Sequence, residues 1–319
     1  MSNAAPTGDE SRVRPLVTLD RATIDEMCVP IAGGVPLGDV SSVDGGLVNT
    51  VLRVTTGSGA AYVLRVTARD EPNALLLMRR LAGLLPIPHV VVTGEVDGVP
   101  YMIYPWIRGI TLNECRRTYG SSALASLAEW VGRAMGTVAA ADKIVSRRRL
   151  PRLVSRDAID TALDQLESDL VAVRLDANVR RALQKTFQAH RAVLEATDAW
   201  HSLVHGDFSG RNVIVREKSE RVWTVSGLLD WETAAIGSPL WDVGSLFRYA
   251  GRYDAEFQRA FERGYRATGP DLPNAWWLLG RILDGTRLVG LLTDERELPS
   301  VLDDCRTILA DLASPVSAS

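Results

Sequence analysis

Near residue 110 the hydrophobic period of this chain changes, and that change restricts its fold more than any other feature. Over residues 38–108, "VNTVLRVTT" and "AAYVLRVTA" are β-branched runs separated by "GSG". "HVVVTGEVDGVPYMIYPWI" repeats the pattern around "VDG". Alternation broken by Gly or Asp-Gly predicts two hairpins. Between them "PNALLLMRRLAGLLP" starts at one proline and stops at another, which predicts one helix. From 111 to 200 the spacing is helical: "SSALASLAEWVGRAMGTVAAA" has a serine pair as N-cap, and "RDAIDTALDQLESDLVAV" and "NVRRALQKTFQAHRAVLEAT" read as two more helices. Strand signals return briefly in "SLVHGD", "NVIV" and "VWTVSGLL". Helix resumes beyond Pro239, most strongly in "AWWLLGRILDGTRLVGLL". The expected architecture is α+β. A disordered lead over 1–14 precedes a small β-rich N-lobe with one main helix over 15–108, and a larger, mostly helical C-lobe fills 109–319.

Composition narrows the function. A formal net charge of −3 leaves no basic footprint for nucleic acid. No apolar run has the length that spans a bilayer, and the N-terminal "MSNAAPTGDESRVRP" has no apolar segment of a secretory signal. Cys28, Cys115 and Cys305 are odd in number, far apart and form no CxxC. They read as idle thiols in a reducing compartment, so a cytoplasmic location is expected. The cations are almost all arginine: lysine occurs only at 143, 185 and 218.

"HSLVHGDFSGRN" (201–212) carries two of the four histidines. The Leu-Val pair and Gly206 favour a short extended piece, on which His201 and His205 would stand roughly 13 Å apart. Two zinc ligands must each lie about 2 Å from one metal, and no glutamate separates the histidines as HEXXH requires. What remains is H-x-D-x-x-x-x-N, the spacing of the kinase catalytic loop. Downstream, "VIVREKSERVWTVSGLLDWE" reads as a hairpin with arms at 213–216 and 222–229 and a turn at "EKSE". A hairpin returns its end to its start, so Asp230 would arrive beside Asn212. An amide oxygen and a carboxylate converging in this way suit magnesium bound with nucleotide phosphates.

"LVHGDFSGRNVIV" followed by "SGLLDWETAAIGSPLWDVGSL" resembles the aminoglycoside phosphotransferase family of small-molecule kinases. The resemblance covers most of the chain and implies a protein-kinase-like bilobal fold. It also implies that Asp207 is the catalytic base and that Asn212 and Asp230 hold Mg²⁺. His205 is expected to be structural, Asp242 to clamp backbone under the loop and Trp231 to pack. Glu232 could reach metal or substrate or equally serve as a salt-bridge partner, and Arg211 and Glu71 are further supporting candidates.

"SSVDGGLVNTVLRV" resembles the family's nucleotide loop, with Gly45, Gly46 and Asn49 as candidates. Where protein kinases place a lysine on the third strand, this chain has Arg65, whose fork can still serve phosphate. Where the family usually shows a helix glutamate this chain has Ala74, so either Glu71 substitutes or Arg65 lacks that partner. Backbone groups of Pro105, Trp106 and Ile107 would pair with the purine edge. The nucleotide is expected to be ATP, with GTP possible. The acceptor is expected to be a small hydroxylated antibiotic, foremost an aminoglycoside or other cationic one met by Trp241, Trp276, Trp277 and Asp284 among the acids of the C-lobe, with a small hydroxylated metabolite as the alternative. Two rival readings remain: a non-catalytic nucleotide-binding module, suggested by the missing lysine, and a protein kinase, which would need an activation segment that "ETAAIGSPLWD" lacks.

Overall fold

The computed structural model describes residues 17–43, 49–67, 72–144, 149–220, 222–295 and 299–314. The chain divides into two compact units, the first built chiefly from residues up to Ala82 and from Pro88–Ile107, the second chiefly from Arg108 onward. The expected lead over 1–14 lies outside the described residues.

The first unit is a five-stranded antiparallel sheet in the order β1-β2-β3-β5-β4. Its strands are β1 (Val40–Ser42), β2 (Thr50–Thr55), β3 (Ala61–Val66), β4 (Val92–Val96) and β5 (Val99–Pro105). Both expected hairpins are present. The β4–β5 turn places Asp97 and Gly98 at φ 52° and 77°, the left-handed pair that a tight hairpin needs. A helix not anticipated from the sequence, α1 (Arg21–Ala32), precedes the sheet, with Asp20 capping it through the Thr23 amide. Its Ile24, Met27 and Cys28 pack with Leu64, Val66 and Ile103. By strand alternation, Val63, Arg65, Met102 and Tyr104 point to the other face, and all four are buried. The helix between the hairpins, α2, covers Pro72–Leu81 and is shorter than expected.

In the second unit, β6 (Ile110–Thr111), β8 (Val213–Ser219) and β9 (Val222–Leu228) form one small sheet, and β7 (Ser202–Val204) pairs with β10 (Ala235–Gly237). The long helix α3 runs from Leu112 to Ala140, nine residues earlier than the serine pair suggested, with a break at Gly120 (φ 66°, ψ −155°). The side chains of that serine pair lie outside the described residues. The stretch 156–173 is two helices, α4 (Ser155–Leu166) and α5 (Asp169–Arg174), because Ser168 caps the second. The helix α6 (Ala177–Ala196) follows, then α7 (Leu240–Phe247), α8 (Ala255–Thr268), α9 (Trp276–Leu291) and α10 (Pro299–Ala313). Cys28, Cys115 and Cys305 are buried and unpaired. Burial pushes each thiol up to about 11, so none is a nucleophile near neutrality. Among the described residues no helix is long and apolar enough to cross a membrane.

Two helix pairs approach through glycine. Gly132 of α3 faces the Phe261 carbonyl of α8, while Gly264 of α8 faces the Glu129 carbonyl of α3. Gly244 of α7 meets the Gly280 carbonyl of α9. A methyl group at any of these positions would collide with backbone, which cannot yield as a side chain can. Gly244→Ala is therefore expected to cost about 1–3 kcal/mol. It would be measured as a lower urea midpoint at unchanged slope; an unchanged midpoint would contradict this packing.

Candidate active site

The loop after β7 is held from below. Antiparallel pairing of β7 with β10, Val204 opposite Ala235, delivers His205 to the end of a fully buried strand. Gly206 follows at φ 88°. A side chain there would collide with the Thr233 carbonyl, so only glycine fits on both counts. The Asp242 carboxylate of α7 accepts the His205 N–H at 2.7 Å and the Gly206 N–H at 2.9 Å. Burial raises the Asp242 pKa, against the opposing pull of His205, the two N–H bonds and Arg287. The ring of His205 is committed on both nitrogens: Nε2 lies 2.8 Å from the Leu229 carbonyl, and Nδ1 accepts the Asp207 N–H at 3.3 Å. That pattern assigns the proton to Nε2. The ring also lies 4.5 Å from the buried Trp231 ring, centroid to centroid. His201 is exposed at the far end of β7, so the two histidines do not form a metal grip.

Asp207 and Asn212 meet directly. The Asn212 amide donates from Nδ2 to the Asp207 carbonyl and to its carboxylate Oδ2, each at 2.9 Å. With its nitrogen so committed, Asn212 presents Oδ1 as its remaining oxygen. The β8–β9 hairpin pairs Val213 with Leu228, and the Leu229 N–H donates to the Asn212 carbonyl at 2.9 Å. Asp230 stands one residue beyond that bond. Its strands run through Ser219 and Val222, so the turn lies later than "EKSE". Asp230 adopts φ 67°, ψ 65°, a left-handed conformation that costs a non-glycine residue about 1 kcal/mol or more and tends to mark functional loops. Among the described residues no three His, Cys, Asp or Glu side chains converge to hold a metal. A magnesium that arrives with nucleotide phosphates needs only one or two protein oxygens, and the Asn212–Asp230 set fits that chemistry. Glu232 is half-buried on the single turn after Asp230, and Arg211 is exposed. From that turn the chain enters β10 and then α7 at Leu240, which leaves little platform for a peptide acceptor.

Beneath the loop lies a charge network that local sequence does not reveal. On α9, Arg287 donates from Nη1 to the Gly206 carbonyl at 2.8 Å, and its guanidinium lies 4.4 Å from the Trp241 ring. Arg248, just past α7, grips Asp284 of α9 with two bonds of 2.7 and 2.8 Å. Burial disfavours the charge of Arg248, but Asp284, with Asp207 and Tyr249 adding to it, raises its pKa overall. In sequence Asp284 and Arg287 look like an i,i+3 surface pair; each instead reaches across to another element.

The network corrects the expected acceptor residues. Asp284 is 1% exposed and committed to Arg248. Trp276 is buried among Phe247 and Phe261, and Trp241 is buried under Arg287. These three side chains serve the core and the loop floor. Trp277 is half-buried beside Arg281. Other acids counted toward a cationic pocket are also committed: Asp304 accepts the Tyr249 hydroxyl, Asp303 pairs with Arg306, and Asp254 caps α8.

In the first unit Arg65 is 6% exposed near the end of β3, the central strand of the sheet, paired across to Val51 and Met102. Asn49 is buried just before β2. Gly45, Gly46 and Glu71 lie outside the described residues. At the end of β5, Pro105 has no N–H and Trp106 donates its own to the Ala61 carbonyl at 2.9 Å. Among the described residues this leaves the Ile107 N–H and the backbone carbonyls of 105–107 as the groups of that expected set that a purine edge could meet. Arg53 stacks over the Trp106 ring at 5.4 Å.

An antiparallel sheet unit and a helical unit whose loop couples H-x-D-x-x-x-x-N to a hairpin-borne aspartate define the protein-kinase-like class of α+β phosphotransferases. More narrowly, the chain belongs to the phosphotransferase enzyme family, whose profile matches residues 39–276. It is 27% identical over 188 residues to a viomycin phosphotransferase of Streptomyces vinaceus, a match spanning 57% of this chain and 63% of that relative. The fold is similar to that of an aminoglycoside 2′-phosphotransferase-IIIa in its GDP complex, with TM-score 0.72 and 19% identity over 92% of this chain and 99% of the other. It is also similar to a macrolide 2′-phosphotransferase of Brachybacterium faecium, with TM-score 0.61 and 16% identity over 92% and 97% of the two chains.

Asp242→Ala would leave the His205 and Gly206 amides buried without a partner. Each unmade bond costs about 1–3 kcal/mol. The variant is expected to lose several degrees of melting temperature by calorimetry; a melting temperature equal to wild type would refute the clamp.

Proposed function

We propose that this chain transfers the γ-phosphoryl group of ATP to a hydroxyl of a small-molecule antibiotic. The observation that carries this reading is the double donation of Asn212 to Asp207, with Asp230 brought alongside by the hairpin. Asp207 would accept a hydrogen bond from the acceptor hydroxyl, orient it and take up its proton. Asn212 holds the Asp207 carboxylate in one orientation and, with Asp230, offers oxygen to magnesium. Bound with the nucleotide, Mg²⁺ would neutralise charge on the phosphate oxygens. In the first unit Arg65 would pair with phosphate, Gly45, Gly46 and Asn49 would line the phosphate loop, and the Ile107 N–H would meet the purine. GTP fits the same backbone donor.

The named relatives are phosphotransferases of viomycin, aminoglycosides and macrolides, and they support an antibiotic acceptor. Burial of Asp284 against Arg248 removes one acid from the expected argument for a cationic one. The screen should therefore include neutral as well as cationic hydroxylated antibiotics.

Mass spectrometry of the panel with ATP and Mg²⁺ is expected to find one acceptor gaining a single phosphoryl group. Asp207→Ala should slow that transfer by about 10²–10⁴-fold; a mutant as fast as wild type removes Asp207 from the reaction. Asp230→Ala should raise the magnesium concentration needed for half-maximal nucleotide binding in calorimetric titration. An unaltered requirement would remove Asp230 from the metal site.

A further inference from the structure

We propose that Arg287 is a positioning residue that sets the direction of Asp207 by holding the Gly206 carbonyl. The peptide group joining Gly206 to Asp207 leads directly into the Asp207 Cα. It is held at both ends: Arg287 Nη1 donates to its carbonyl at 2.8 Å, and its N–H donates to His205 Nδ1 at 3.3 Å. The preceding two peptide groups are held through their N–H groups by Asp242. No bond along the loop itself holds the Gly206 carbonyl; its partner comes from α9, 81 residues away.

Arg287 is itself immobilised. Its guanidinium lies over the Trp241 ring at 4.4 Å and a second contact reaches Ser245 Oγ at 3.4 Å. Both belong to α7, the helix that carries Asp242. The Gly244–Gly280 approach draws α7 and α9 together, so the acid that takes the loop's N–H groups and the base that takes its carbonyl sit on one rigid pair of helices. The charges facing Arg287 are Asp284, Asp242, Asp207 and Arg248. Asp284 is gripped by Arg248 and Asp242 by two amides. Asp207, fixed in direction by its own peptide group and by the Asn212 amide, is the carboxylate of the three that faces the acceptor. A rotation of the 206–207 peptide would swing that carboxylate, and displacements near 1 Å at a reacting group cost roughly a hundredfold in rate.

The kinetic part of this proposal rests on the phosphotransferase reading; the structural part does not, and the experiment separates them. Hydrogen–deuterium exchange is measured on the full chain for wild type, Arg287→Met and Arg287→Lys, following the peptide that covers 203–212. Losing one hydrogen bond to a charged group should speed exchange of the Gly206 and Asp207 amides by about tenfold in Arg287→Met, with α7 and α9 unchanged. Arg287→Lys keeps one donor for the carbonyl and should retain the protection. Where transfer is measured, Arg287→Met should lower kcat by roughly a hundredfold with KM for nucleotide little altered, and lysine should restore most of it. Unchanged loop exchange in Arg287→Met, or exchange rising equally across α7 and α9, would overturn the proposal. Should Arg287→Met fail to fold, Arg287→Lys decides: a folded lysine variant with a deprotected loop overturns it, and a protected loop supports it. A wild-type chain that phosphorylates no acceptor would sink the phosphotransferase reading, and loop exchange would still decide what Arg287 holds.

Discussion

The second unit is organised around one buried carboxylate. Asp242, 2% exposed, takes the amide protons of two successive residues, His205 and Gly206. A bare carboxylate at that depth would be prohibitive, because ionisation in a medium without water is opposed by desolvation. It is tolerable because two N–H bonds and the Arg287 charge act on it from close range. The same bonds satisfy amides that would otherwise be orphaned where β7 ends and the ladder stops. Fold and site are therefore coupled: the groups that make burial of Asp242 acceptable are the groups that fix the loop.

Glycine makes this arrangement possible twice. Gly206 allows the left-handed turn that points its N–H at Asp242, and Gly244 lets α7 approach α9 until their backbones touch at Gly280. At that separation Arg248 closes both of its bonds on Asp284. Buried ion pairs are poor sources of net stability, since desolvation offsets much of their attraction. What this pair contributes is direction: it occupies Asp284 and gives α7 and α9 a single register. The aromatic cluster of Phe247, Phe257, Phe261 and Trp276 provides non-directional packing of α7 and α9 against α8.

The parts of this architecture that could be read from sequence are those encoded over short distances. Asp97-Gly98 marks a hairpin because the turn itself needs two left-handed residues. The Asn212–Asp230 neighbourhood was legible because a hairpin is a rule about its own ends. The helix α1 carried readable signals, Asp20 three residues before Thr23 and Gly33 at its end, but Pro30 inside it imitates a stop. The break of α3 at Gly120 and the split at Ser168 were hidden because continuous apolar spacing outweighs one residue of local preference. Trp241, Trp276 and Asp284, expected at the acceptor, are buried instead, for a different reason. A tryptophan pair and an acid on a helix look alike whether they face solvent or core, and only the neighbouring helix decides. Arg248 and Asp284, separated by 36 positions, leave no periodic trace.

The Arg-for-Lys exchange on β3 follows from the same logic of burial. A lysine ammonium at a site as enclosed as that of Arg65, 6% exposed, loses charge readily when desolvated. A guanidinium does not, because its proton affinity is too high and its charge is spread over a plane. In this chain the described cations that matter are arginines: Arg65 on β3, Arg248 and Arg287 beneath the loop. Arg248 holds Asp284 through a fork that an ammonium could not reproduce, and Arg287 gives one donor to the Gly206 carbonyl while lying over the Trp241 ring. A missing N-lobe lysine is therefore weak grounds for a decayed, non-catalytic module. The charge is kept in a form suited to burial, and the groups of the loop, Asp207, Asn212 and Asp230, are all present. The arginines set fixed positive charge and the buried carboxylates answer it, which leaves Asp207 as the half-buried carboxylate of the loop.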